Sequence, residues 1–182
     1  MGYAYRIDNP EGIYFVTFTV VEWIDVFTRP CYSEIIIESL KYCQRRKGLI
    51  IYAYCIMSNH VHLIVSSDLN NDLSRIIGDF KKFTSNKIIK SIEMGPESRR
   101  NWMLWIFQQA GLRDKNNKRH KFWKNGNHPE ELFTGKFLKQ KLSYIHNNPV
   151  AAQIVENPED YVWSSAKSYA GKKGLIDIEF LY

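Results

Sequence analysis

The hydrophobic patterning of the chain predicts an α+β fold in which an antiparallel sheet packs helices on one of its faces. Two kinds of segment alternate: runs of β-branched and aromatic residues, which are typical of strands, and longer stretches with helical spacing. Their order is strand, helix, strand, strand, helix, which begins the split β-α-β arrangement of ferredoxin-like folds. We expect the second face of such a sheet to be open and to carry the functional site.

The first half of the chain supplies most of this sheet. Ile13–Val21 is rich in β-branched and aromatic residues and predicts a strand. Tyr32–Lys47 has apolar residues at helical spacing and is followed by a glycine, which is a common helix end. Gly48–Met57 and His60–Ser66 predict two further strands, and the two residues between them predict a hairpin.

The second half of the chain is mainly helical. Asp72–Ile92 predicts a long amphipathic helix, whereas Arg99–Ala110 is rich in aromatic residues and fits either a strand or a helix. Thr134–Asn148 predicts a helix that ends near Pro149, because the residue before a proline avoids the helical region. Tyr161–Ala170 predicts a short terminal helix.

The length of 182 residues predicts a single domain, residues 1–182, with its core at about 13–150 and a C-terminal extension at 151–182. Hydrophobic residues make up 45% of the chain, which excludes global disorder. The chain carries 25 Lys and Arg against 19 Asp and Glu, a net charge of +6. This mild positive charge suits a partner that carries phosphates.

The cysteines and the N-terminus bear on the cellular compartment. Cys31, Cys43 and Cys55 lack the spacing of a disulfide framework or a zinc finger, so we expect three buried or half-buried thiols in a reducing compartment. The first residues are polar and do not resemble a secretory signal. No run of about 18 apolar residues is present, so we expect a cytoplasmic protein without a membrane partner.

The most informative stretch is MSNHVHLIV, Met57–Val65. Alternate side chains of a strand point the same way, so His60 and His62 share the face that we expect to be open. Their Cα atoms would lie roughly 6–7 Å apart, which allows both imidazoles to bind one divalent ion. The pair alone does not select a reaction, since it also fits a half-exposed polar face, a zinc enzyme or a cupin-like iron site.

The second informative stretch is KQKLSYIHNNPV, Lys139–Val150. On a helix, Tyr144, Asn148 and Lys141 lie on one flank, while a stripe of apolar residues faces the core. Leu138, Leu142 and Ile145 form that stripe. A helical tyrosine usually packs and an asparagine before proline usually ends a helix. Beside a metal-binding histidine pair, however, a phenol oxygen is suited to attack a phosphodiester.

Basic residues interleaved with aromatic ones predict a groove for single-stranded nucleic acid, because cations bind phosphates and rings stack on bases. Many of them lie in the segment Arg113–Lys124, which includes Lys115 and Lys118. The candidate DNA-binding residues are Arg75, Lys81, Lys82, Arg119, Lys121, Trp123, Lys124 and Lys141. The alternative is that the lysines only solvate the surface, and that Trp102 and Trp105 belong to the core.

These motifs resemble those of a known family. MSNHVHLIV resembles the HUH motif of the single-tyrosine HUH transposases. KLSYIHNNPVAAQIV followed by PEDYVWSS resembles the C-terminal signature of their REP-associated tyrosine transposase branch. The resemblance covers roughly Tyr14 to Tyr169, nearly the whole chain.

The resemblance implies a ferredoxin-like, RRM-like sandwich with a C-terminal helix that carries the nucleophile. The substrate would be single-stranded DNA, often a hairpin, and Tyr144 would form a 5′-phosphotyrosine link and release a 3′-hydroxyl. His60 and His62 would hold Mg²⁺ or Mn²⁺. Relatives place a glutamine as third ligand four residues after the tyrosine; here Asn148 is one methylene shorter, so the helix would lie closer to the sheet or a water would bridge.

Two alternatives come from other functional classes. A non-catalytic protein of the same fold would bind single-stranded or hairpin DNA without cleaving it. A small-molecule metal hydrolase or oxygenase would use the histidine pair, although the nearest following carboxylate, Asp68, lies six residues past His62. A homodimer that exchanges tyrosine helices and a monomer with the site in one chain both fit the sequence. Bound to DNA, the protein would be associated with the nucleoid.

Overall fold

The fold is an antiparallel sheet of four strands with five α-helices, seen in a computed structural model that describes residues 7–68, 70–114 and 119–181. The strands are β1 (Tyr14–Thr19), β2 (Leu49–Ile56), β3 (His60–Ser67) and β4 (Glu130–Glu131), in the order β2-β3-β1-β4. The helices are α1 (Pro30–Lys47), α2 (Leu73–Met94), α3 (Arg100–Leu112), α4 (Gly135–Ala151) and α5 (Ala166–Tyr169). The predicted α+β class and ferredoxin-like strand order are confirmed.

Strand β3 is central and sets the position of the histidine pair. It pairs antiparallel with β2 on one side and with β1 on the other. Across the second pairing, Thr17 lies opposite His62 and Thr19 lies opposite His60. Both histidines therefore lie inside the sheet, at the end where β3 begins and β1 ends.

The sheet is covered on both faces. Helices α1 and α2 cover one face, where Val61, Leu63 and Val65 join the main core as predicted. On the other face, Ile64 packs with Leu142 and Ile145 of α4. The expectation of an open second face is therefore wrong where α4 lies, because the apolar stripe of that helix needs an apolar partner.

The ends of two helices depend on local chemistry, and the structure assigns the ambiguous segment. Helix α1 ends at Gly48, which has φ +68°, and a side chain there would collide with the carboxylate of Asp68. The segment that fitted either a strand or a helix is the helix α3. Helix α4 does not end at Asn148 but continues through Pro149, because the carbonyls of its last turn still find donors, among them the Ala152 N–H.

The C-terminal extension covers the outer edge of β2. Ser165 donates its N–H to the Tyr54 carbonyl, and its hydroxyl accepts the Tyr54 N–H. The same hydroxyl lies 2.9 Å from Nε2 of His146, so it also ties α4 to the sheet. The extension thereby helps to hold α4, the helix that carries Tyr144, in place.

Glu97 is a buried carboxylate that joins α1 to the start of α3. It accepts hydrogen bonds from the Tyr32 hydroxyl and the Arg99 N–H, and ion pairs form with Arg29 and Arg99. Burial raises the pKa of this carboxyl, but the hydrogen bonds and both guanidinium charges together outweigh it, so that the net pKa lies below the usual value. The carboxylate therefore stabilises the fold at neutral pH.

We expect Glu97→Gln to lower the free energy of unfolding by about 2 kcal/mol at pH 7, because hydrogen bonds to a charged group are lost. The depressed pKa makes this contribution present above the unfolded-state pKa, about 4.3, and lost as the pH falls through the folded-state value. Urea unfolding at pH 7 and below pH 4 measures both effects. Glu93→Gln, on the exposed surface of α2, is the matched control. If the wild type and Glu97→Gln differ in free energy of unfolding as much below pH 4 as at pH 7, this explanation is contradicted.

Within the described residues, no helix is both long enough and apolar enough to span a membrane. The three cysteines are free thiols; Cys43 and Cys55 are buried as expected, whereas Cys31, in the first turn of α1, is exposed.

Candidate active site

Both histidines are held through Nδ1. Thr17 Oγ1 lies 2.8 Å from Nδ1 of His62, and Asn59 Oδ1 accepts a hydrogen bond from Nδ1 of His60 at 2.6 Å. Nε2 of His62 is buried and has no hydrogen-bond partner among the described residues. Because an unpaired buried nitrogen is costly, this atom is a candidate to bind a metal ion.

Burial keeps the two imidazoles neutral. It is the main cause that lowers the pKa of His62 to about 3, and the charges of His60 and Lys141 lower it further. Burial also lowers the pKa of His60. The ring centroids of the two histidines are 4.6 Å apart. Two neutral imidazoles so close together offer lone pairs to one divalent cation at neutral pH.

Tyr144 lies directly against this pair. Its ring centroid is 5.3 Å from that of His62, and 51% of the residue remains exposed to solvent. Helix α4 brings it there because Leu142 and Ile145 are anchored in the core beneath Ile64. The phenol lies beside His62 of its own chain.

Phe15 is a site residue that the sequence analysis missed. Its ring stacks on His62 with centroids 5.4 Å apart and meets the edge of Tyr144 at 6.1 Å. The ammonium group of Lys141 lies 4.3 Å from the same ring centroid. Phe15 thus fixes three side chains at once. Its alternation with Thr17 on β1 was visible in the sequence, but the contact depends on the strand register.

Thr17 provides a test of how the site is organised. We expect Thr17→Val to weaken Mn²⁺ binding about 10–100-fold. Valine keeps the shape of the threonine side chain but loses the hydrogen bond that orients the His62 ring. Isothermal titration with Mn²⁺ measures this change. Thr19→Val is the matched control, since Thr19 is on the same face of β1 and makes no side-chain hydrogen bond among the described residues. Equal affinities for both variants would contradict the role of Thr17.

A third metal ligand is less well defined than the histidines. Asn148 is half-buried one helical turn after Tyr144, and within the described part of the chain no hydrogen bond or ring contact links its side chain to either histidine. The described residues also contain no cluster of three His, Cys, Asp or Glu side chains suited to a metal ion. Asp68, the nearest carboxylate along the chain, lies instead beside Gly48 and Asn71 at the other end of β3.

The predicted DNA-binding residues separate into different environments. Lys141 lies in the site, where it pairs with Glu130 at 2.8 Å. Lys81 donates hydrogen bonds to the carbonyls of Lys124 and Gly126, and burial lowers its pKa to about 8. Lys121 is paired with Asp114 at 2.6 Å. Lys81 and Lys121 are thus engaged inside the protein, and the prediction that they bind DNA has no support from their contacts.

The structure also gives no support to the prediction that Trp123 binds DNA. The residue is 5% exposed, its ring stacks on Phe27, and its indole N–H donates to Thr84. A ring packed in this way has no free face for a base. By contrast, Trp102 and Trp105, which could have been core residues, are 51% and 59% exposed on α3.

Arg75 and Lys82 are exposed on α2, which covers the sheet face opposite α4. The structure therefore does not bring them to Tyr144. Arg119 is exposed before the segment that flanks β1. Lys115 and Lys118, from the same predicted basic cluster, lie outside the described residues.

The comparisons with known proteins bear on the family and the fold of this chain. A family model described as "Transposase IS200 like" matches residues 12–110, more than half of the chain, including the histidine pair but not α4. A solved structure described as "Structure of the REP associates tyrosine transposase bound to a REP hairpin" is similar with a TM-score of 0.67 and 16% sequence identity. The alignment covers 100% of this chain and 94% of that one. No curated protein matches.

The match of this family model over more than half of the chain defines the class of protein. The chain belongs to the IS200-like transposase family. Its fold is that of a REP-associated tyrosine transposase, which agrees with the branch that the motifs resemble.

Proposed function

We propose that this chain cleaves and rejoins single-stranded DNA next to a hairpin, with Tyr144 as the nucleophile. The observation that carries the proposal is the position of the Tyr144 ring, 5.3 Å from His62, whose own ring is 4.6 Å from His60. A phenol and two neutral imidazoles on one half-exposed surface suit nucleophilic attack on a phosphodiester.

The reaction would proceed in two transfers. The Tyr144 hydroxyl loses its proton as its oxygen attacks the phosphorus atom, the bond from phosphorus to the 3′ oxygen breaks, and the 3′ oxygen takes up a proton. The phosphate stays linked to the 5′ side as a phosphotyrosine ester. Because that ester keeps the bond energy, attack by another 3′-hydroxyl rejoins the DNA and releases the phenol without ATP.

Neighbouring side chains would assist this chemistry in three ways: by binding a metal ion, by supplying positive charge and by holding the reacting rings in place. His60 and His62 would bind Mg²⁺ or Mn²⁺ through their Nε2 atoms, with Asn148, directly or through a water, as the proposed third ligand. When bound, such an ion polarises the phosphate and stabilises the charge that develops on it. Lys141 lies beside His62 with its ammonium group paired to Glu130, and it would have to exchange that carboxylate for a phosphate oxygen to bind the DNA. Phe15 holds the phenol and the His62 imidazole in place.

The DNA partner is proposed on the same grounds. Of the predicted contacts, Lys124 and Lys141 lie nearest to the histidine pair along the sheet, and Arg119 remains a prediction. The single-domain organisation and the cytoplasmic location, with nucleoid association on DNA, also stay predictions. A monomer is sufficient for the proposed site, because Tyr144 meets histidines of its own chain.

The test is incubation of the protein with a panel of labelled stem-loop oligonucleotides and Mn²⁺, followed by a denaturing gel. We expect a covalent protein–DNA adduct that depends on the metal ion. Binding without an adduct under any metal would contradict the enzymatic proposal and indicate a DNA-binding protein of the same fold. Failure to bind any nucleic acid would favour a small-molecule metal enzyme.

A further inference from the structure

An exposed tryptophan lies at the end of the sheet that carries the histidine pair. Trp23 is 63% exposed, in contrast to the buried residues on either side of the loop that holds it, Val21 and Ile24. Glu22 and Trp23 both have φ +51°, a left-handed conformation that is unfavourable for residues other than glycine. Two such residues in succession are costly, and strain of this kind accumulates at functional sites.

Trp23 is tied directly to the support of His60. Asn59 accepts the Nδ1 hydrogen bond of His60 through its side-chain oxygen, and the amide nitrogen of the same side chain donates to the Trp23 carbonyl at 3.2 Å. One side chain therefore positions both the imidazole and the strained loop. The Trp23 backbone is therefore linked to His60 through one side chain.

A cation completes the surface. The ammonium group of Lys124 lies over the Trp23 ring. Lys124 reaches it because its N–H donates to the Thr19 carbonyl, and Thr19 lies opposite His60 in the sheet. A ring with a cation on it, beside a candidate phosphate site, has the chemistry of a nucleotide site: the ring stacks on a base and the ammonium binds the adjoining phosphate.

We propose that Trp23 and Lys124 form a stacking platform for an unpaired base of the DNA strand that passes the histidine pair. This inference rests on the proposed function and adds a binding residue to it. The platform would hold a nucleotide next to the reacting phosphate and would not contact a blunt stem. Since stacking is tolerant of sequence, it would fix the position of the strand rather than select a base.

The test compares two fluorescent oligonucleotides without metal: a stem-loop with a single-stranded oligo(dT) extension, and the same stem-loop with a blunt end. We expect Trp23→Ala to bind the extended oligonucleotide about 5- to 150-fold more weakly by anisotropy and the blunt one as the wild type does. Trp23→Phe should restore most of the affinity. Phe83→Ala is the matched control, because Phe83 is 58% exposed on α2, which covers the opposite sheet face.

Several results would overturn the platform: equal binding of the extended oligonucleotide by Trp23→Ala and wild type, an equal loss on the blunt one, or no binding by the wild type. Adduct formation by the wild type with Mn²⁺ reports separately on the proposed function. An absent adduct with binding that depends on Trp23 contradicts the enzymatic proposal and supports the platform. An adduct together with binding that does not depend on Trp23 supports the enzymatic proposal and contradicts the platform.

Discussion

Tyr144→Phe should abolish the covalent protein–DNA adduct while the affinity for stem-loop DNA stays within a few-fold of wild type. The substitution removes only the oxygen atom that attacks, and the aromatic edge that meets Phe15 and His62 is kept. A covalent mechanism without its nucleophile has no alternative route, so the loss should be about 10³-fold or more. Labelled stem-loop DNA with Mn²⁺ on a denaturing gel measures the adduct, and anisotropy measures binding.

The matched control for this prediction is Tyr42→Phe. Tyr42 is 53% exposed, nearly as much as Tyr144, but it lies on α1 and therefore on the opposite side of the sheet. This variant should form the adduct at the wild-type rate. An adduct of normal yield in Tyr144→Phe would show that another group attacks the phosphate.

His62→Ala should lower the rate of metal-dependent adduct formation by about 10³-fold. The reason is that Nε2 of His62, the buried nitrogen without a partner, is the strongest candidate for a metal-binding atom in the described chain. Loss of a ligand removes several kcal/mol of charge stabilisation at the phosphate, and each 1.36 kcal/mol corresponds to a tenfold change in rate. Adduct yield against Mn²⁺ concentration is the measurement.

His62 is 4% exposed, so its truncation also leaves a cavity. His60→Ala separates the two effects, because His60 is only half-buried and its loss should impair the reaction with less cost to stability. His120→Ala, outside the site, should leave adduct formation unchanged. If adduct formation depends on Mn²⁺ in both single variants, His60→Ala and His62→Ala, as it does in the wild type, a metal site at this pair is contradicted.

The two motifs that carry the site could be predicted because each lies within one element of secondary structure. The alternation along β3 places His60 and His62 on one face whatever surrounds the strand. The spacing of four residues likewise places Tyr144 and Asn148 on one flank of α4. Neither pattern predicts that the helix crosses the sheet at the histidines, because that crossing depends on the packing of α4 against β3.

The residues that were missed or misjudged depend on contacts between distant segments. Phe15 becomes a site residue only through the register that sets β1 against β3. Lys81 looked like a free cation on an amphipathic helix, but its ammonium group binds carbonyls more than forty residues further along the chain. Trp23 was not singled out because its exposure follows from two left-handed residues that local propensity does not predict.

Proline 149 shows the limit of a local rule. The residue before a proline usually leaves the helical region, so a helix end at Asn148 was expected. Here Pro149 is buried in the last turn of α4, and the Ala152 and Ile154 N–H groups close that turn on the Asn148 and Pro149 carbonyls. Tertiary packing of the helix against the sheet outweighs the local preference.

The most direct measurement is to map the amino acid that carries the DNA in the adduct. Trypsin should release the peptide Leu142–Lys167, in which Tyr144 and Tyr161 are the only tyrosines. After nuclease treatment, fragmentation mass spectrometry locates the remaining nucleotide. The proposed geometry predicts the nucleotide on Tyr144, beside the histidine pair. A nucleotide on Tyr161, whose hydroxyl donates to the Ile56 carbonyl, or on any residue outside this peptide would contradict it.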